Sequence, residues 1–264
     1  MNFKKGNDLN WNSGDAWQCV IALVVCDFLA VHWLRYGERH SFEFWKWIQT
    51  LAGTYFTVAV QGIIYLGLII YFSKIKHFFV FCQKIGLRRG ITLFGWYSAC
   101  VAVVIAIIDG YGTRRGWTAS SLRQDTIGHG FSGIQYLLCL IKTVFIVPFY
   151  EEAALRGFLY DAFRGSYRVF PSICLIVCFS GYLHWHSITA SLYTFACLAA
   201  LWTLLCIVKE RTGSLWDCLL CHAVYNAVGI NLWISSILIL ILILLLLMRS
   251  SYLCRETLGN KETY

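Results

Sequence analysis

Phe145-Ile-Val-Pro-Phe-Tyr-Glu-Glu-Ala-Ala-Leu-Arg-Gly-Phe-Leu159 decides how this chain is read. It continues an apolar run that begins at Phe131, then places Glu151, Glu152 and Arg156 where a membrane helix should still be apolar. An ionisable group near a bilayer centre costs roughly 2.5–3.5 kcal/mol on insertion scales, so such groups need a partner or a purpose. On a helix Glu152 and Arg156 are i,i+4 and can pair, whereas Glu151 is turned about 100° away. Pro148, one of two prolines, lies just upstream and is expected to kink the helix and free backbone carbonyls beside the carboxylates. Two readings follow: an ion-pair staple between helices, or a buried acid/base site. The difference lies in whether other helices bring complementary groups.

Composition sets the surroundings. Of 264 residues 58% are hydrophobic and only 14% charged; soluble domains carry about 25% charged residues. The chain therefore reads as all-α, a polytopic membrane helix bundle. The apolar runs are about 16–34, 50–72, 91–108, 131–160, 169–185, 192–208, 214–230 and 232–248, which makes about eight transmembrane helices. One transmembrane domain, 16–248, is expected between polar tails 1–15 and 249–264, with its catalytic core at about 131–230. The first run reads as a spanning helix more readily than as a signal peptide, because its lysines are distant and no small-x-small site follows. Aromatic residues make up 17% of the chain, and many stand at run ends, as an interfacial belt would place them. The net charge of +8 lies between apolar runs, so it speaks for topology and anionic lipid, not nucleic acid. The 12 cysteines sit mostly inside the runs and read as small apolar residues. Asp27 and Lys142 are further intramembrane charges; Asp27 either pairs with Lys142 or lies near an interface. The chain shows no internal repeat of the kind that builds many transporters.

Other runs supply the complementary groups. His222 and Asn226 are i,i+4 and share a helix face within Leu219–Val228; such a pair is either an interhelical hydrogen-bond contact or part of a site. His184 and His186 are two apart, so a helix would point them to nearly opposite sides, and only one is expected to face the glutamates. Three helices thus offer Glu/Glu/Arg, His, and His/Asn. A carboxylate in a low-dielectric pocket can take a proton from water, a histidine can orient that water, and His and Asn can donate to a developing oxyanion.

In these motifs the chain resembles the CAAX-protease and bacteriocin-processing family of intramembrane endopeptidases, also called the abortive-infection family. Glu151-Glu-Ala-Ala-Leu-Arg156 matches its Glu-Glu-x-x-x-Arg motif, and His222-Ala-Val-Tyr-Asn226 its His-x-x-x-Asn motif. The middle motif, Phe-x-x-x-His, is kept as Ser180-Gly-Tyr-Leu-His184, with Phe179 displaced by one; Tyr182-Leu-His-Trp-His186 fits the spacing with Tyr. Gly181 favours His184. The resemblance implies a peptide-bond hydrolase in which Glu151 activates water, His184 assists, His222 and Asn226 bind the oxyanion, and Glu152 with Arg156 holds the helix geometry. It implies a membrane-associated or lipidated peptide substrate, for which a prenylated CAAX protein is the best-known class. A zinc ion held by one carboxylate and two His is chemically feasible, but there is no His-Glu-x-x-His pair and Asn is a poor zinc ligand, so no cofactor is expected. The rival readings are a non-enzymatic immunity or scaffold protein carrying the same motifs, and a proton-coupled transporter using Glu151, Asp27 and Lys142.

Charge places the chain in the membrane. Excluding Lys142, the tails and alternate connections carry 15 Lys and Arg, counting Arg156, against 6 on the other side. The positive-inside rule puts both termini in the cytoplasm. Reporter fusions after Met248 should be active only in the cytoplasm; activity confined to the opposite side would reverse this topology.

Overall fold

A computed structural model describes residues 11–40, 43, 46–47, 50–75, 78–117, 133–185 and 191–230. The expected eighth span, the tails beyond these limits and His186 lie outside the described residues. What is described is entirely helix and turn. In chain order the helices are α1 (Ser13–His40), α2 (Leu51–Ser73), α3 (Phe78–Lys84), α4 (Leu93–Arg114), α5 (134–166), α6 (Val169–Leu183), α7 (Leu192–Thr212) and α8 (Leu215–Ile230). Four stretches are long and apolar enough to cross a membrane: Ser13–Ala30, Tyr55–Ser73, Leu93–Arg114 and Leu192–Thr212. The protein is multi-pass by this measure. Four of the eight expected spans correspond to these stretches; three other runs form no long regular α-helix, and the eighth lies outside the described residues. α6 has only 15 residues and the described α8 only 16, about 22–24 Å of helix, short of a hydrocarbon core of about 30 Å.

α5 is the other exception, and the rest of the bundle gathers around it. It is helical throughout but changes winding four times, with π-helical stretches at Lys142–Ile146 and Ala153–Leu159. The first follows from Pro148. In the wide register the Val147 amide reaches back five residues to the Lys142 carbonyl; the next donor in that register would be residue 148, which has no N–H. The second carries Leu155, Arg156 and Gly157 fully into the interior. A Cβ on Gly157 would stand 3.0 Å from Cβ of Ile85, so the glycine lets the chain after α3 lie against α5.

α1, α2, α6, α7 and α8 all contact α5, and α8 packs chiefly against α4. One apolar core surrounds α5, with Leu155, Phe158, Leu159 and Phe163 buried among Leu23, Ile69 and Ile176. A second lies between α4, α7 and α8 and contains Ala102, Leu205 and Val224. Two turns at one end meet at close quarters. Gly86 has φ +89° and a Cβ there would fall 2.2 Å from the Gly213 carbonyl; Gly213 itself has φ +63°. Lys209 is buried beside them, donating to the Ile85 carbonyl at 2.9 Å and pairing with Asp161 at 3.2 Å. Glu210 accepts from Arg164 Nε at 2.9 Å and from the Tyr160 hydroxyl at 2.8 Å. These contacts lock the end of α7 to the end of α5. The described cysteines are all free. Cys218 and Cys221, at CxxC spacing on α8, turn their thiols to the carbonyls of Leu205 and Gly95 and not to each other.

The junction between α4 and α8 rests on one buried carboxylate. Asp217 accepts from the Thr92 amide and hydroxyl, both at 2.8 Å, while Thr92 caps α4 by accepting from Gly95 N. Asp217→Ala should lower stability by about 1.5–3 kcal/mol, since it orphans donors to a charged acceptor. Asp217→Asn, which still accepts one of these bonds, should lose less. Thermal unfolding of the purified variants checks this, and equal losses would disprove it.

Candidate active site

The site is assembled where α5, α8 and α7 meet. Glu152 and Arg156 have side chains with 0% exposure, and Arg156 Nη1 donates to Glu152 Oε1 at 3.0 Å. Burying both charges is tolerable only with further polar partners. α7 supplies one, the Trp202 carbonyl, which accepts from Arg156 Nη2 at 3.3 Å. α8 supplies the other, His222, whose Nδ1 lies 2.7 Å from Glu152 Oε1. Glu152 can only accept when ionised, so this contact assigns the proton to Nδ1 and makes it the donor. The second imidazole nitrogen, Nε2, then points at Glu151, 3.9 Å from Oε2. That separation exceeds a hydrogen bond. Glu151 keeps 15% of its side chain accessible, whereas Glu152 is sealed. Adjacent glutamates thus occupy unlike environments with one imidazole between them.

Asn226, one turn along α8 from His222, donates from Nδ2 to the Thr143 carbonyl at 2.9 Å. This is the carbonyl whose π-register donor is missing at Pro148. Sequence reasoning anticipated a freed carbonyl but not that Asn226 would take it; the second Nδ2 hydrogen and Oδ1 remain for other partners. His184 caps the short helix α6. Its Nδ1 is 3.0 Å from the Ser180 carbonyl, and its ring centroid is 5.2 Å from that of Trp202. Among the described residues no direct hydrogen bond joins His184 to Glu151, Glu152 or His222. Trp202 lies midway along α7. The carbonyl that holds Arg156 and the ring that meets His184 therefore belong to one residue, and His184 stands at the depth of the glutamates' own support.

An apolar cavity of about 730 Å³ lies beside the glutamate helix, walled by Val144, Phe145 and Phe149 of α5, Leu66 of α2, and Leu219 and Ala223 of α8. Its volume is within the range of small-molecule pockets, about 300–1,000 Å³. The neighbouring Tyr150 donates to Gln61 Oε1 at 3.0 Å, tying α2 to α5. Asp27 is hydrogen-bonded with Tyr182, and no ion pair links it to Lys142 among the described residues. No three His, Cys, Asp or Glu side chains among those residues are grouped to hold a metal ion.

Residues 133–228 match the sequence family described as Rce1-like, type II CAAX prenyl endopeptidase. The chain carries an Rce1-like domain of the CAAX prenyl endopeptidase family. The domain covers a little over a third of the chain, from the start of α5 to the end of α8, and so includes each of the three motifs and the helix pair that positions them. Comparison with curated proteins and with solved structures gave no match. Within the Rce1-like domain, Thr143 and Trp202 are the residues that motif reading passes over. Both act through backbone carbonyls, which any residue type could provide; only Pro148 signals the first.

The link between Pro148 and Asn226 is testable by a double-mutant cycle. Asn226→Leu should cost about 1–3 kcal/mol by leaving the Thr143 carbonyl unsatisfied. In a Pro148→Ala background the restored amide can take that carbonyl, and the same change should cost markedly less. Additive losses in thermal or denaturant unfolding would separate the two residues.

Proposed function

We propose that the protein is an intramembrane endopeptidase that hydrolyses a peptide bond of a membrane-associated, prenylated substrate, with Glu151 as the base. The observation that carries this is the contrast between the paired carboxylates. Glu152 is sealed and committed to Arg156 and His222; Glu151 is partly open, close to His222 Nε2, and bonded to neither. A general base must reach the proton that it takes, and of the two only Glu151 can meet a water.

In this reading water lies against Glu151, oriented by His222, and gives up its proton to the carboxylate as its oxygen attacks the substrate carbonyl. The oxyanion is met by the Asn226 amide and by His222, and His184 assists through Nε2, the nitrogen not turned to Ser180. The proton held by Glu151 then passes to the leaving amine. Glu152 and Arg156 hold His222 and the helix in place. The apolar cavity supports a substrate with a lipid anchor, because it lies on the same helix and offers hydrocarbon contacts. The partners are therefore membrane lipid and a lipidated peptide; nothing in the site fits nucleic acid.

Cleavage of a prenylated reporter peptide by purified protein tests this. Glu151→Gln should fold and melt like wild type yet lose about 10²–10⁴-fold in turnover. Asn226→Ala should lose about 10²–10³-fold, and a chelator should change nothing. Arg156→Leu, which strands a buried carboxylate, should instead lose about 3–5 kcal/mol of stability. Full activity in a well-folded Glu151→Gln protein would end the proposed mechanism, and inactive wild type on authentic substrate would favour a non-enzymatic scaffold.

A further inference from the structure

We propose that Lys142 receives the C-terminal carboxylate of the substrate and so sets how far from the chain end the enzyme cuts. The inference rests on the endopeptidase reading above. Lys142 is 7% exposed within the π-helical stretch of α5, and among the described residues it has no ion pair or side-chain hydrogen bond. The acid that the sequence offered it, Asp27, is engaged with Tyr182. Next along the chain, Thr143 is 9% exposed and its Oγ1 is buried without a hydrogen-bond partner among the described residues. A cation and a hydroxyl thus stand together in an apolar bundle, unspent. Ionisable groups at such depth characteristically face the interior and mark the path of a substrate or ion. Here both available groups donate hydrogen bonds, and the ligand that suits them is an anion.

Position identifies which anion. Lys142 stands nine residues before Glu151 on the same helix, about 13 Å along its axis at 1.5 Å per residue. An extended peptide covers about 3.3–3.6 Å per residue. A chain whose scissile carbonyl lies at Glu151 therefore brings its terminal carboxylate to Lys142 after about three or four residues. A CAAX terminus has three residues beyond its cysteine. Asn226 lies between these points, with His222 on Glu151 and Glu152 at one end and the Thr143 carbonyl on its amide at the other. α8 thus lines the proposed path from the reacting bond to the carboxylate.

The test compares a farnesylated peptide ending in cysteine and three further residues, as the free acid and as its C-terminal amide, on the full chain in nanodiscs. Wild type should favour the acid by about 10- to 100-fold in kcat/KM, as suits loss of one charge-assisted hydrogen bond, with the difference mainly in KM. Lys142→Gln and Lys142→Met should abolish the difference between acid and amide, and Lys142→Arg should retain it. Adding a fourth residue after the cysteine should slow cleavage by wild type more than by Lys142→Gln. Equal cleavage of acid and amide by wild type overturns the assignment whether or not the variants fold. So does a Lys142→Gln protein that loses both substrates in proportion, as it would if Lys142 served a lipid phosphate. Cleavage of neither form by wild type would instead defeat the endopeptidase reading, and this assignment with it.

Discussion

A carboxylate and a guanidinium, both with no exposed surface, face each other one helical turn apart in the middle of an apolar bundle. Desolvating two charges costs more than a simple contact returns unless further hydrogen bonds complete the pair. Glu152 and Arg156 therefore dictate what other helices must bring to them. α7 brings a backbone carbonyl at Trp202 and α8 brings His222. Both helices are thereby fixed in height and rotation against α5. Glu151, the next residue in the chain and about 100° around the helix, inherits its position from that arrangement. The backbone of the proposed base is held in place because its neighbour is structural, so an ion-pair staple and an acid/base site are compatible readings of one motif.

The winding of α5 serves the same end. A regular helix satisfies its own backbone and offers nothing to a neighbour. Pro148 breaks that self-sufficiency in a wide turn, and the carbonyl of Thr143 becomes an acceptor for another helix. Asn226 meets it. The hydrogen bond that this exchange moves from within α5 to between α5 and α8 aligns Asn226 one turn from His222, on the face that the site needs. π turns are enriched at functional sites, and here the reason is concrete. Gly157 plays a complementary part on the other side of the second wide turn, where it admits Ile85 and allows Arg156 to be enclosed.

Much of this was legible in the sequence because intramembrane charges are few and helical spacing is strict. Glu152 with Arg156 and His222 with Asn226 could each be placed on one helix face from i,i+4 spacing alone, and that Pro148 should release a carbonyl followed from its missing N–H. Depth was less legible. Hydropathy treats every apolar run as a span, so it took the run 169–185 across the bilayer, whereas α6 has 15 residues and stops after Leu183. Partners that act through carbonyls, Trp202 and Thr143, leave no trace in residue type. Asp27 looked like a counter-ion for Lys142 because both are charged and intramembrane, yet a tyrosine hydroxyl on α6 meets it instead. Charge alone does not specify which polar group answers it.

A single histidine, His222, stands between the two glutamates. Glu151, Glu152 and Arg156 sum to one negative charge. His222 donates through Nδ1 to Glu152 and turns its second ring nitrogen toward Glu151. That nitrogen, Nε2, stands 3.9 Å from Glu151 Oε2, too far for a hydrogen bond that would occupy the carboxylate. A base so placed can take a proton from water without first giving up a hydrogen bond. The positive charge that the cluster gains in that step appears beside the negative charge growing on the substrate oxygen. Preorganised groups of this kind stabilise the transition state because they need not reorient as charge develops. The buried pair at Glu152 and Arg156 thus contributes to the proposed chemistry without touching substrate: it fixes the imidazole that stands between the sealed carboxylate and the open one.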